Sequence, residues 1–537
     1  MYRHGRFWRT NPLNGGGIVG KIFRAGCVAA VLMIAFTSTE SARAQDWPFA
    51  VPVEHNGQRA LGYLWIAPQV ETVRGLIICV DISAEAAFVR DPTVRAAATN
   101  AQLGIVFISP GLFATYDVTQ HDDLGLQRVL DDLARVSGFR EIATAPLLTF
   151  GHSTGGIFAR NVAYRKPERV FGVIYFKSGQ IRPPTWPHGE LTEIPFLAIN
   201  GEFEEFGPSG PHPAGESWES QWTAVRDELL RLRRSGHRVS QIVEPGGGHW
   251  GWTQGAIADH VAKFITLAAQ QLPAHGAHDE ATVPLRRIRE EDGTLAAPHG
   301  SSSAAAVEGD SDSSPRLWHA SRELAEFSRG LESEFGRAEQ SVAFENIGSS
   351  TPDRDVLAET IWNPDGTEFC VRAHASSGLP VEITAVGGPV EAVAPGVFRV
   401  IAPGVDYSGF KNRKVTLAAR QTGDVKFRPA VRIGTVLLRP HREGRPQMIT
   451  FAPLVETPDH GPISLHATAD SALPVQFRIR SGPAEIVDGA IVVTELPRGE
   501  ASSFEIVVLA GQWGNAQVQT ATTVEQRLTV HRVPARP

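Results

Sequence analysis

The chain has 537 residues and a formal net charge of −7, and 42% of its residues are hydrophobic and 20% charged. This length is too great for a single hydrophobic core and predicts roughly two to four domains. The composition is ordinary for globular proteins. Apart from the cluster Arg231–Arg234 the sequence has no run of basic residues, so nothing indicates a nucleic-acid-binding protein.

Residues 1–44 have the pattern of an export signal. Five basic residues precede an apolar run from Ala25 to Phe36, and the cleavage pattern Ala42-Arg43-Ala44 follows. The apolar run is too short to cross a bilayer comfortably. Cys27 stands at its start, which argues against a lipoprotein anchor. We therefore expect a secreted or periplasmic protein with no stable membrane anchor after cleavage.

Strand and helix patterns alternate over residues 45–273, which we predict to be one catalytic domain. A hairpin signal, His55–Gln58, opens the region. Runs such as Gly75–Val80 and Gly104–Ser109 are continuously apolar, as in parallel strands that are buried on both faces. Helical patterns such as Asp122–Val136 stand between the strands. The sequence therefore predicts an α/β fold with a doubly wound, mostly parallel sheet.

The strongest chemical signal is the segment Gly151-His152-Ser153-Thr154-Gly155. An apolar run ends at its first glycine, and a helical pattern begins after its last. A serine in a tight turn between a strand and a helix is the context of a nucleophile elbow. The turn strains the serine backbone, and a side chain at either glycine would collide with its neighbours. The pattern predicts Ser153 as a nucleophile and assigns His152 to the lining of a substrate pocket.

A serine hydroxyl needs a base within hydrogen-bond reach, and the base needs an acid to orient it. His249 lies on a glycine-rich loop after the last predicted strand and is the best candidate base among 18 histidines. Glu204 stands third after Gly201, just past a strand end, and is the preferred acid. Glu202 and Glu205 remain alternatives.

The remaining site predictions are less specific. The backbone N–H groups of Thr154 and Ile82 are predicted to form an oxyanion hole, since they follow the nucleophile and an earlier strand. Trp250 and Trp252 flank the candidate base, and they either line a substrate pocket or pack the final helix. No metal-binding cluster stands out, and no cofactor is expected.

The rest of the chain changes in composition twice. Residues 274–345 have linker composition, with one amphipathic helix predicted over residues 315–336. From residue 346 the pattern is all-β and contains a repeat at a spacing near 90 residues. Two of the matching pairs are Leu379–Glu391 with Leu473–Glu485, and Val415–Gly423 with Ile506–Gly514. We predict two small β-sandwich domains, residues 346–442 and 443–537.

With the elbow motif, Glu204 and His249 in this order, residues 49–272 resemble α/β-hydrolases of the secreted esterase type. The similar groups are dienelactone hydrolases, polyester depolymerases and feruloyl-esterase-like enzymes. The second β domain, opening at Gln447–Pro453, resembles the immunoglobulin-like repeats of bacterial secreted proteins. The resemblance implies hydrolysis of an ester, free or polymer-linked, through an acyl-enzyme and without a cofactor. The sequence departs from these groups in two ways. Its candidate acid is a glutamate where an aspartate is usual, and the His-Gly signature of the oxyanion hole is absent.

Two other functions fit the sequence. The same fold also supports serine peptidases and amidases, and only a panel of substrates separates these from esterases. If the hydrolase domain were inactive, the protein would be an extracellular binding or adhesion module whose β domains contact a surface or a glycan. The three filled triad positions argue against this last possibility.

Overall fold

The computed structural model describes residues 47–532 with short interruptions. The interruptions are residues 180, 187, 205, 208–209, 212–220, 254, 274–283, 301–314, 346, 352–353, 358–360, 364–365, 405–413 and 456–460. The predicted export signal therefore lies outside the described residues. Within the described part, no helix is both long and apolar enough to cross a membrane.

An eight-stranded sheet dominates the first half of the chain. Its strands are β1 (Phe49–His55), β2 (Gln58–Trp65), β3 (Gly75–Val80), β4 (Leu103–Ser109), β5 (Leu147–His152), β6 (Val170–Phe176), β7 (Phe196–Gly201) and β10 (Val239–Glu244), while β8 (Phe206–Gly207) and β9 (Gly210–Pro211) form a separate hairpin. The strand order is β1-β2-β4-β3-β5-β6-β7-β10. Of these eight strands only β2 runs against the others. The mostly parallel sheet is confirmed.

Helices alternate with these strands, as the sequence predicts. They are α1 (Glu85–Phe88), α2 (Pro92–Asn100), α3 (Asp122–Ser137), α4 (Gly155–Arg165), α5 (Gln221–Arg234) and α6 (Ala256–Ala268). Every residue of β3, β5, β6, β7 and β10 is buried, because helices cover both faces of the sheet. Local signals set helix ends: the Asp91 carboxylate caps α2, and Gly138 ends α3 at a φ of +74°.

The segment after residue 283 is packed against the sheet where the structure describes it. It contains β11 (Thr294–Ala296), β12 (Leu317–His319), α7 (Arg322–Gly330) and α8 (Glu332–Phe335). The helix predicted over residues 315–336 is therefore wrong in its first turn and interrupted later. Leu317–His319 are all buried and pair with β11, and the Ser321 hydroxyl then accepts the Leu324 N–H and starts α7.

Two further groups of sheets follow, which we call the first and second β regions (residues 338–438 and 445–532). The strands of the first are β13 (Val342–Phe344), β14 (Ile347–Thr351), β15 (Arg354–Leu357), β16 (Ile361–Trp362), β17 (Glu368–Cys370), β18 (Ala373–Ala375), β19 (Glu382–Gly387), β20 (Val390–Ala394), β21 (Val397–Val400), β22 (Lys414–Gln421) and β23 (Ala430–Leu437). Those of the second are β24 (Ile449–Phe451), β25 (Ile463–Ser464), β26 (Ala467–Ala469), β27 (Gln476–Ser481), β28 (Ala484–Val487), β29 (Ala490–Val493), β30 (Ser503–Gly511) and β31 (Val524–His531).

The two β regions bury their apolar residues differently. The first has a core of its own, which includes Phe369, Phe398 and Leu417. The apolar residues of the second, such as Phe504 and Ile506, form one continuous cluster with the core of the large sheet. The second region therefore extends the core of the large sheet.

Candidate active site

Ser153 lies at the sharp turn between β5 and α4, with a φ of +54°. This left-handed backbone is costly for a residue with a side chain, so the surrounding structure must hold it. The Ser153 N–H donates to the Phe176 carbonyl at 3.1 Å, and the Ser178 hydroxyl donates to the Ser153 carbonyl at 2.6 Å. A Cβ atom at Gly151 would lie 1.9 Å from the Gly155 carbonyl oxygen, so only glycine fits there.

The structure brings the three predicted catalytic side chains together. The distance from His249 Nε2 to Ser153 Oγ is 3.0 Å, a hydrogen bond. On the other side of the imidazole, Nδ1 lies 3.6 Å from Glu204 Oε2, an ion-pair distance longer than a hydrogen bond. His249 and Glu204 are 3% and 0% exposed, so their interaction is shielded from water. Serine, histidine and carboxylate are thus in line.

The other oxygen of the Glu204 carboxyl group, Oε1, holds the group in place through hydrogen bonds. Oε1 accepts the Gly201 N–H at 2.8 Å and the Asn200 side-chain amide at 3.2 Å. Burial raises the pKa of Glu204 to about 7, against the lowering effects of the Gly201 hydrogen bond, the Lys177 charge and Asn200. This leaves Oε2 facing the histidine.

Of the two alternative acids, Glu202 is held by other groups. Glu202 accepts the Gly246 N–H at 2.8 Å and lies 2.8 Å from the Arg428 guanidinium. Glu205 lies outside the described residues.

His152 does not line a pocket, which corrects the sequence prediction. It is fully buried, and its Nε2 lies 2.9 Å from the His249 carbonyl oxygen, while its Nδ1 lies 2.6 Å from the Ser83 hydroxyl. Burial, the neighbouring His249 and nearby lysines hold its pKa well below the usual range, so the ring is neutral. Because a carbonyl can only accept, Nε2 carries the proton and Ser83 donates to Nδ1. His152 therefore supports the backbone of the candidate base.

The predicted oxyanion donor Ile82 is also corrected. Its N–H donates to Glu85 Oε2 at 3.0 Å, and the Ser83 N–H donates to the same oxygen at 2.8 Å. Glu85 Oε1 accepts the His152 N–H at 2.8 Å. The buried carboxylate thus takes the N–H group that the oxyanion hole was expected to use.

Thr154, the other predicted donor, is exposed and precedes α4. Within the described residues, its N–H donates to no protein group. This N–H lies at the amino-terminal end of α4, and the positive end of a helix dipole stabilises a negative oxygen.

The two tryptophans have different environments. Trp252 is 3% exposed, packs on Phe150 and Phe176, and donates its indole N–H to Asp91 at 2.9 Å. It therefore packs the core, and it also lines the cavity described below. Trp250 is half-buried, lies edge-on to the His249 ring at 5.0 Å, and carries the Lys414 ammonium over its ring. Of the two, Trp250 is in direct contact with the candidate base.

The sequence reasoning missed three buried charged groups around the site. Lys177 and Glu244 form an ion pair at 2.8 Å, and Glu85 holds the loop after β3. Burial alone would raise the pKa of Glu244, but Lys177 and Arg420 outweigh it and hold the pKa below its usual value. The signal for Lys177 and Glu244 was their position at the carboxyl ends of buried strands, where sites form in open α/β sheets.

A cavity of about 2120 Å³ opens beside this site. Ile82, Ser83 and Trp250 line it from the hydrolase, Lys414 from the first β region, and Phe477 from the second. All three parts of the chain therefore contribute to the space next to the candidate base. Among the described residues no group of histidine, cysteine or carboxylate side chains is arranged to hold a metal ion.

The strand order of the sheet and the strained serine between β5 and α4 define residues 49–272 as an α/β-hydrolase fold, with small β sheets following it. No protein-family model matches the chain, and no curated protein matches it.

Several solved structures are similar to part of the chain. A carboxylesterase from Bacillus cereus is 11% identical and covers 38% of this chain and 93% of its own, with a TM-score of 0.28. An S-formylglutathione hydrolase from Agrobacterium tumefaciens (13% identical; 42% and 94% covered; TM-score 0.29) and a poly(3-hydroxybutyrate) depolymerase from Bordetella parapertussis (16%; 42% and 91%; 0.29) are also similar. The fold assignment above rests on the strand order and the serine turn.

Proposed function

We propose that this protein is a serine hydrolase that cleaves carboxylic esters through an acyl-enzyme intermediate. The observation that carries the proposal is the 3.0 Å contact between His249 Nε2 and the hydroxyl of a serine held at a φ of +54°. A half-buried, strained serine beside a buried imidazole and a carboxylate is the arrangement that acyl transfer needs.

In this mechanism the Ser153 hydroxyl attacks the ester carbonyl while His249 Nε2 takes its proton. The imidazolium then gives that proton to the leaving alcohol, and Glu204 stabilises the positive ring from the Nδ1 side. The Thr154 N–H binds the negative oxygen of the tetrahedral intermediate. A water molecule then attacks the acyl-enzyme while His249 takes its proton, and the carboxylic acid is released as Ser153 regains a proton. The residues present supply each step without a cofactor.

We further propose that the rest of the substrate lies in the cavity next to Trp250. Trp250, which contacts His249, is among the residues that line this cavity, and this supports a substrate that extends beyond a simple acetate ester, such as an ester within a polymer. The basic and apolar segment before Ala42-Arg43-Ala44 supports export to the periplasm or the medium.

The first test is hydrolysis of p-nitrophenyl esters by the wild-type protein and by Ser153→Ala. We expect kcat/KM to fall by on the order of 10⁴-fold in the variant, because the nucleophile is lost. Thr119→Ala, an exposed hydroxyl in the loop before α3, is the matched control and should retain full activity. An activity that does not depend on Ser153 would contradict the proposed mechanism.

The choice of substrates separates the competing functions. Amides and short peptides with the same acyl groups should react far more slowly than the esters. A higher kcat/KM for amides would replace the esterase by an amidase. The absence of any Ser153-dependent turnover, together with no labelling of Ser153 by a fluorophosphonate, would leave a binding protein as the remaining function.

A further inference from the structure

The loops that carry the candidate acid and base are joined by backbone hydrogen bonds, from the Glu202 N–H to the Glu244 carbonyl and from the Phe203 N–H to the Gly247 carbonyl, and by the Glu202 carboxylate. Glu202 lies two residues before Glu204, and its Oε2 accepts the Gly246 N–H at 2.8 Å. Gly246 opens the loop that carries His249. A displacement of either loop therefore moves the other.

The same carboxylate contacts the first β region. Arg428 Nη1 lies 2.8 Å from Glu202 Oε1. The Arg428 side chain is almost fully buried, with the rings of Phe203 and Phe335 on its faces at 5.5 and 5.8 Å. Its Nη2 reaches Glu339, which is largely exposed. A buried guanidinium with a fixed planar geometry sets the position of its carboxylate closely.

Neighbouring residues of the first β region make backbone contacts with the same loop. The Val431 N–H donates to the Gly246 carbonyl at 3.3 Å. Gly246 approaches this segment so closely that a Cβ atom would lie 2.1 Å from the Pro429 carbonyl oxygen. Further along the loop, the Arg420 guanidinium donates to the Trp252 carbonyl at 2.7 Å. The loop of the candidate base is thus packed on β22 and β23.

The internal repeat supplies a natural comparison for Arg428. The Arg428 carbonyl accepts the Gln340 side-chain amide at 2.7 Å, and the Gln519 carbonyl accepts that of Gln447 at 2.6 Å in the second β region. Gln519 therefore occupies the matching position, and among the described residues its side chain bonds to the Gly444 carbonyl, directly before the second β region. The module forms with glutamine here, so the arginine is not needed for the β fold.

We propose that Arg428 is a positioning residue for the catalytic reaction and that the first β region is part of the catalytic unit. Through Glu202 it fixes the distance between Glu204 and His249. The residue touches neither the substrate nor the reacting atoms. This inference rests on the proposed hydrolase function and goes beyond it, because it assigns a role in catalysis to the first β region, whose role the sequence left open.

The test replaces Arg428 by the residue of the matching position, Arg428→Gln, in the full chain. We expect kcat for a p-nitrophenyl ester to fall roughly 10- to 100-fold with KM within about twofold, because misplacement affects the transition state and not substrate binding. Arg428→Lys, which keeps the charge but not the planar fork, should recover part of kcat. Gln519→Ala is the matched control in the second β region and should leave kcat unchanged.

Two additional measurements make the result decisive. The rate of Ser153 labelling by a fluorophosphonate should fall in parallel with kcat, and thermal unfolding should show that Arg428→Gln is folded at the assay temperature. If that variant does not fold, Glu202→Gln carries the test, since it keeps the side-chain volume and should lower kcat to a similar extent.

The outcomes separate this inference from the proposed function. An unchanged kcat in Arg428→Gln, or a raised KM with the wild-type kcat, overturns the positioning role. If the wild-type protein is labelled at Ser153 but cleaves no ester, the proposed ester specificity is wrong, and the labelling rates still test Arg428. If the wild-type protein shows neither reaction, both proposals are wrong.

Discussion

The two β regions have the same internal hydrogen-bond pattern but contact the hydrolase in different ways. In each, a glutamine side chain near the start donates to a second glutamine at the end of a long strand: Gln340 to Gln421, and Gln447 to Gln512. The first region meets the catalytic loops through buried polar groups such as Arg428. The second meets β1 through apolar packing, with the Phe504 ring 6.0 Å from that of Phe49.

This difference separates two kinds of contribution. Apolar burial is not directional and contributes mainly to the free energy of unfolding. A buried polar contact adds less net stability but fixes the positions of the groups that it joins. We therefore expect changes in the second region to lower the free energy of unfolding with little effect on kcat. Changes at the first region's contacts should lower kcat with little effect on the free energy of unfolding.

The largest effect is expected for Phe504→Ala in the second region. Phe504 is almost fully buried, so its loss should lower the free energy of unfolding by about 3–5 kcal/mol. Chemical denaturation measures this loss, while kcat at low temperature should stay within twofold of wild type. Val425→Ala, an exposed apolar residue of the first region, is the control and should change neither quantity. A large fall in kcat for Phe504→Ala would contradict the expectation that the second region contributes mainly to stability.

A second prediction concerns Glu85, which fixes a loop from within the hydrolase. Burial raises its pKa from 4.5 to about 7. Between these values the folded protein holds a proton that the unfolded chain has released, so the stability from this group falls as pH rises from about 4.5 to 7. Relative to wild type, Glu85→Gln should therefore be most destabilised near pH 5, and the difference should shrink by on the order of 3 kcal/mol by pH 8.

Denaturation of both proteins at the two pH values measures this change. Glu54→Gln, at an exposed carboxylate, is the control and should differ from wild type equally at both. A Glu85→Gln difference that does not vary with pH would show that the carboxyl group titrates normally.

A smaller effect is expected at Gly246. Alanine there would carry both a φ of +69° and a contact with the Pro429 carbonyl oxygen that the backbone must relieve. We expect the loop to move away from the first β region and kcat to fall about tenfold. Gly236→Ala is the matched control, since its φ is +86° but no atom lies within 4 Å of the added Cβ. If kcat fell equally in the two variants, backbone strain alone would explain the loss, and the contact of Gly246 with the first β region would play no part.

The smallest effect is expected for Arg420→Gln. It removes one hydrogen bond to the Trp252 carbonyl and one positive charge near Glu244, which keeps its ion pair with Lys177. A loss of about 1 kcal/mol would lower kcat about fivefold. Steady-state kinetics beside Arg527→Ala, whose ion pairs with Glu505 and Glu525 stay within the second β region, would measure it. If kcat fell as much as in Arg428→Gln, Arg420 would be as important as Arg428 for the contact between the first β region and the loop of His249.

Local patterns carried much of what the sequence predicted. Continuous apolar runs identified the buried strands, and the glycines around Ser153 identified the turn, because both depend on neighbours along the chain. The prediction of Ile82 as an oxyanion donor was wrong because nothing in the sequence shows that the Glu85 side chain turns back on the Ile82 and Ser83 N–H groups. The helix over residues 315–336 was wrong because Leu317 fits a helical stripe and a buried strand equally well.

The contact of Arg428 with Glu202 could not be predicted from the sequence. It joins residues far apart in the chain, and arginine at that position looks like any surface residue of a β sandwich. Only the fold shows that its guanidinium is buried beside the loop of Glu204. The repeat indicated two similar modules, but it gave no sign that they would dock differently.

The contact between Val431 and Gly246 also has a consequence for biosynthesis. The ribosome makes Ser153 and His249 well before the strands that pack on the loop of His249. At about 5–20 residues per second, the delay is on the order of 10–40 s. During that interval a nascent hydrolase segment would have its nucleophile but not the support that we propose for its acid and base. If the positioning role holds, ester cleavage by such a segment would be roughly 10- to 100-fold slower until the later strands have been translated and folded.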